Sequence, residues 1–146
     1  MVNNYLEDAL TENPLSDLPG YALRRAAQTM MAELSSRLTE VNLRISDASV
    51  LLLLAERSDM TSTEIGAMLD IQRANMVPLL SRLESAGLIR REPIDRKSQA
   101  IVLTSAGRER LRKVQAITAA FERDLLDRIP QEHRSHLVPA LKALAV

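Results

Sequence analysis

The chain has 146 residues, 46% of them hydrophobic and 26% charged, with 19 basic and 19 acidic residues and no cysteine. That length suits one domain with a sizeable core. The missing cysteines exclude disulfides, thiolate metal sites and cysteine nucleophiles, and zero net charge leaves room for nucleic acid only on a segregated basic face.

Residues 1–17 are polar and contain Pro14, so they read as a loosely held arm. Pro19 and Gly20 precede a helical pattern from about Tyr21 to Val41, with Leu23, Ala26, Ala27, Met30, Met31, Leu34 and Leu38 on one stripe. A helix of that length is expected to pack along more than one neighbour. Ser46 is the expected N-cap of a second helix, Asp47–Glu56, and its run Val50–Leu54 is apolar all round, so it should be buried. Thr61-Ser62-Thr63-Glu64 reads as a capping box opening a short helix to Leu69, with Ile65 and Leu69 inward.

Asp70-Ile71 makes a tight turn. The next helix runs from about Gln72 to Ser85 with Met76, Leu79, Leu80 and Leu83 inward, and Gly87 ends it in a left-handed cap. Two extended segments follow, Leu88–Glu92 and Gln99–Leu103, joined by a charged loop that opens on Pro93; together they predict a hairpin with a basic tip. Thr104 caps a long helix from Ser105 to about Ile129, striped by Leu111, Val114, Ile117, Phe121 and Leu125. Pro130 stops it, and a last helix from Gln131 to about Leu144 should be kinked or shortened by Pro139.

A short capped helix, a tight turn, a second helix and an immediate hairpin are the order of a winged helix-turn-helix, whose second helix enters the DNA major groove. Four arginines face one glutamate between Ile71 and Arg91, which supplies a local basic face. The segment Arg73–Leu111, RANMVPLLSRLESAGLIRREPIDRKSQAIVLTSAGRERL, resembles the MarR family of bacterial regulators. The likeness rests on the RLE…GLI.R run, the DRK wing and LTSAGRERL, and Gly20–Ala26 is similar to the family's first helix. The resemblance implies a mainly α fold: a winged helix-turn-helix lobe (46–104) with one β-hairpin wing, flanked by long N-terminal (18–45) and C-terminal (105–146) dimerisation helices, one structural domain overall. It further implies a homodimer on a pseudo-palindromic operator, acting mostly as a repressor and released by a small, often aromatic or phenolic, ligand.

Asn75, on the outer face of the recognition helix, can pair with adenine, and Arg73 at its start can reach phosphate or guanine. Val77 and Pro78 stand where the family pattern resembles Thr-Arg; neither side chain donates a hydrogen bond, so readout should lean on thymine methyls and DNA shape. Arg82 is a candidate for phosphate, Ser62 and Thr63 lie at a helix N-terminus suited to phosphate, and Arg96 and Lys97 at the wing tip suit the minor groove. Asp95 is expected to pin the wing through an ion pair to Arg91. Tyr21, Arg24, Arg25 and Met30 are the candidate ligand contacts. The expected partners are double-stranded DNA, a second copy of the chain and a small-molecule inducer.

His133 and His136 lack further ligands, so neither metal nor cofactor is expected. No nucleophile-and-base set or phosphate loop points to an enzyme. The longest apolar run is far short of the ~18 residues of a membrane span, and the acidic N-terminus lacks signal-peptide order, so no membrane contact and a cytoplasmic location are expected. A winged-helix module that binds protein instead of DNA is the competing reading, motivated by the neutral charge and the Val77-Pro78 pair.

Overall fold

The computed structural model describes residues 13–145; most of the arm expected over residues 1–17 lies outside them. The chain divides into two compact units, one ending at Glu33 and the other beginning at Leu34. The first carries a turn at residues 14–17 and most of helix α1 (Pro19–Leu38). On α1 the expected apolar stripe is buried only at its end. Leu38 is fully enclosed and Leu34 half-buried, whereas Leu23 and Met31 remain 40% and 60% exposed.

The second unit continues from the end of α1 through a 3-10 turn (Thr39–Val41) to α2 (Ile45–Leu53), α3 (Ser62–Leu69) and α4 (Arg73–Ser85). It then forms β1 (Ile89–Pro93), β2 (Gln99–Leu103), α5 (Ser105–Asp127) and α6 (Gln131–Leu144). This is the winged helix-turn-helix order with terminal helices on both sides. The start of α2 differs from expectation. Arg44, not Ser46, is the N-cap residue: the Asp47 carboxylate accepts the Arg44 amide at 2.9 Å, and the helix starts two residues earlier, at Ile45. The apolar run is central as expected, with Val50, Leu51 and Leu54 buried.

Local chemistry fixes the next elements. At α3 the Thr61 hydroxyl accepts the Glu64 amide at 3.3 Å while the Glu64 carboxylate accepts the Thr61 amide at 2.9 Å. Asp70 closes α3 in the left-handed region, and the Ile71 amide donates back to the Gly66 carbonyl at 2.8 Å. Gly66 lets the two helices approach: a β-carbon there would lie 3.0 Å from the Ile71 carbonyl and 3.1 Å from Met76 Cγ. On α4, Met76, Leu79, Leu80 and Leu83 are all at most 3% exposed, as the spacing predicts. Gly87 (φ +73°) ends α4, with the Leu88 amide donating to the Leu83 carbonyl.

The hairpin is antiparallel, pairing Ile89 with Leu103, Arg91 with Ile101 and Pro93 with Gln99. A further link, invisible in the sequence, joins it to the helix pair: the Ile101 amide donates to the Met60 carbonyl at 2.8 Å, and Thr61 bridges Ala100. The wing therefore grows from the same backbone that caps α3. Thr104 caps α5 by accepting the Gly107 amide at 3.0 Å. Along α5, Leu111, Val114 and Phe121 are buried and Ile117 and Leu125 half-buried. Arg110 donates to the Val41 carbonyl and Arg37 pairs with Asp124, tying α5 to the 3-10 turn and the end of α1. Pro139 does not shorten α6, which runs through it to Leu144.

Candidate nucleic-acid interface

One groove of about 890 Å³ runs between the helix pair and the wing. Its floor is Gly66, Met76 and Leu80, and its walls carry Thr61, Ser62, Thr63, Arg73, Val77, Arg91, Asp95, Arg96 and Lys97. Eight of the eleven residues expected at a DNA surface or as its wing support thus meet here: Ser62, Thr63, Arg73, Val77, Arg91, Asp95, Arg96 and Lys97. Gln99, beside the turn of the wing, joins them; its place follows from pairing with Pro93, which the sequence does not reveal. Pro78 and Arg82 lie on the other flank of α4, in a recess of about 790 Å³ with Arg44, Asp47 and Ser81. Asn75 is exposed on α4 but lines neither hollow.

The local basic face is smaller than the sequence implies, because most of its arginines are engaged. Arg82 is the clearest case. Its guanidinium lies 2.9 Å from Asp47, whose side chain is 7% exposed and is the one buried charged group among the described residues. A nearly buried carboxylate needs its partner, so Arg82 holds α4 against the start of α2 before it can serve a phosphate. Arg91 pairs with Glu84 at 3.0 Å, and Arg90 with Glu92 at 2.6 Å. Arg73, Arg96 and Lys97 have no acidic partner among the described residues, and all three border the groove.

The wing is pinned differently from the expected Asp95–Arg91 ion pair. One Asp95 carboxylate oxygen accepts the Lys97 and Ser98 amides, each at 2.8 Å, and the other accepts the Ser98 hydroxyl at 3.3 Å. These bonds hold the Asp95 carboxyl below its ordinary pKa, led by the Lys97 amide. Short range explains the preference: the amides lie two and three residues away in a tight turn, where an aspartate commonly caps its own backbone. Arg96 and Lys97 are consequently presented at a turn whose backbone is fixed, with Ile94 exposed beside them.

In the first unit, Tyr21 gathers two of the expected ligand residues. The Arg24 and Arg25 guanidiniums stand 5.4 and 5.9 Å from the Tyr21 ring centre. The Tyr21 hydroxyl oxygen accepts from Asn13 Nδ2 at 2.9 Å and from Arg25 at 3.3 Å. Those two bonds, Arg25 first, lower the Tyr21 pKa. A hollow of about 270 Å³ lies beside it, lined by Asn13, Ser16, Tyr21, Ala22 and Arg25; Met30 does not reach it.

Comparison with known proteins agrees with this architecture. The MarR family model matches residues 43–98. A solved transcriptional repressor, CouR, bound to a 23-mer DNA duplex is 35% identical with a TM-score of 0.82, covering 90% of this chain and 95% of that one. CouR from Rhodococcus jostii bound to p-coumaroyl-CoA is 26% identical with a TM-score of 0.80, over 92% and 96% of the two chains. A putative transcriptional regulatory protein for the hcr operon of Thauera aromatica is 25% identical over 97 residues. That match spans 65% of this chain and 58% of the Thauera protein. Among the described residues, no helix is long and apolar enough to cross a membrane.

Proposed function

The chain belongs to the MarR family of regulators, and from that premise we propose that it is a homodimeric repressor that binds a pseudo-palindromic operator through α4 and the wing. The observation that carries the proposal is the groove itself. It unites a helix N-terminus rich in hydroxyls, three cations without an acidic partner among the described residues, and an outward helix face. Ser62 and Thr63 would donate to a backbone phosphate beside the free amides of α3. Arg73 and Asn75 would meet base edges or phosphate from the start of α4, and Arg96 and Lys97 would follow the adjacent minor groove. The role is one of binding, with no reaction assigned to any side chain.

The second copy is proposed from the terminal helices. On α6, Val138, Leu141 and Leu144 are 52%, 40% and 69% exposed, and no residue of α6 is buried by its own chain. A two-fold dimer that covers these side chains would also present two copies of α4 to a two-fold site. The inducer is proposed to be a phenolic acid or its thioester, because a related repressor binds p-coumaroyl-CoA. Tyr21, Arg24 and Arg25 would supply an aromatic face and cations for its acidic groups, with Met30 further along α1.

The test is selection from a random duplex pool by the purified protein. Enrichment of a motif with two related halves about one helical turn apart is expected. Failure to enrich any motif, at low as well as physiological salt, overturns the proposal in favour of a protein-binding winged helix.

A further inference from the structure

We infer that Ala74, Val77 and Pro78 form an apolar reading patch on α4 that selects thymine by its 5-methyl group. The inference rests on the DNA-binding reading above and names the chemistry that the same helix would recognise. The four buried positions of α4 fix which way the helix faces, and Ala74, Val77, Pro78 and Ser81 are all exposed on its other side. Val77 is 63% exposed, although it borders a groove that hydroxyl and charged side chains also line. Between Asn75 and Ser81, no outward side chain of α4 carries a hydrogen-bonding group.

Major-groove edges present donors, acceptors and a single apolar feature, the thymine methyl. The Val77-Pro78 stretch, without donors or acceptors, has little to offer guanine, adenine or cytosine, but it can cover that methyl. The patch is also stiff. Valine in a helix is nearly confined to one χ1 rotamer, and the proline ring has almost no freedom to lose. Arg73 on one side and the Arg96-Lys97 tip on the other would hold phosphates while Val77 meets the base. A single exposed valine is ordinary on a protein surface. Three apolar residues spaced i, i+3 and i+4 on the outward face of the first two turns of the reading helix are not required by the core, which Met76, Leu79, Leu80 and Leu83 already fill.

The experiment uses the full-length protein and the duplex recovered from the selection described above, made once with thymidine and once with deoxyuridine at the invariant positions. Deoxyuridine keeps the pairing and removes the methyl alone. Affinity is expected to fall about fourfold for each methyl lost, the effect of uncovering one methylene-sized group. In Val77→Ala, a substitution at an exposed site that leaves the core untouched, the gap between the two duplexes should shrink to under twofold. Equal binding of both duplexes by the wild-type protein, or a selected motif with no invariant thymine, overturns the inference while leaving DNA binding in place. A gap that persists unchanged in Val77→Ala assigns the methyl to another residue and overturns it as well. If no duplex is selected at all, the DNA-binding reading fails first and the inference falls with it.

Discussion

Helices α4 and α6 are nearly the same length, 13 and 14 residues, and each has a proline in its interior, Pro78 and Pro139. Their surroundings are opposite. α4 buries Met76, Leu79, Leu80 and Leu83 against its own chain, while α6 buries nothing and leaves Val138, Leu141 and Leu144 open. An interior proline costs a helix roughly 3 kcal/mol. In α4 the burial of four large side chains, each contributing about 1.5–3 kcal/mol, offsets that cost within the chain. In α6 no fully buried side chain supplies the same offset. The winged lobe thus finds its offset within the chain, and the open side chains of α6 are the ones that the proposed second copy would cover.

The largest effects should come from the lobe side of this contrast. Leu80→Ala removes a fully buried side chain from α4 and is expected to lower unfolding stability by about 2–5 kcal/mol in a chemical denaturation series. Gly107→Ala attacks the lobe where α5 meets the hairpin. A β-carbon there would stand 1.9 Å from the Leu88 carbonyl oxygen, which itself accepts the Thr104 amide, so backbone must move. A loss of about 3 kcal/mol, the upper part of the usual range for overpacking, should appear in the same assay.

On the α6 side, Leu141→Glu is expected to leave α4 folded but to weaken dimerisation at least tenfold, because it sets two carboxylates at an apolar contact. Sedimentation at a series of concentrations reads this directly; an unchanged dimer would mean that α6 is covered by something other than a second copy. The smallest effect concerns the wing. The Asp95 carboxyl is held below its ordinary pKa by amides it accepts when ionised. Its contribution to wing order is therefore complete above the ordinary aspartate pKa and is lost as pH falls through the lowered value. Hydrogen exchange at the Lys97 and Ser98 amides should show constant protection at neutral and mildly acidic pH and a decline only in strong acid. Decline beginning near neutrality would contradict the assignment.

What could be read from the sequence was local. The Thr61–Glu64 capping box, the inward stripe of α4, the Gly87 cap and the Thr104 cap each depend on residues within one or two turns, and all are present in the structure. Interactions across long separations were not legible. Arg82 meets Asp47 35 residues away, an ion pair that no local pattern around Arg82 announces. Asp47 also accompanies the earlier start of α2: its carboxylate accepts the Arg44 amide, and Ser46, the expected cap, lies inside the helix. The Met60–Ile101 bond that fixes the wing to the α3 cap has no sequence signature, because it joins backbone to backbone. The groove was legible as a set of residues; its engaged and free cations were not.

The most direct test of the central claim is fluorescence anisotropy of the wild-type protein and the Asn75→Ala/Lys97→Ala double variant on the selected duplex across a range of salt. The expected result is sequence-selective binding that weakens steeply with salt, with the double variant at least tenfold weaker, equally dimeric and less salt-dependent by about one unit of log–log slope for each lysine–phosphate contact removed. Equal affinity and equal salt dependence for the two proteins would contradict the claim that α4 and the wing form the DNA-binding surface.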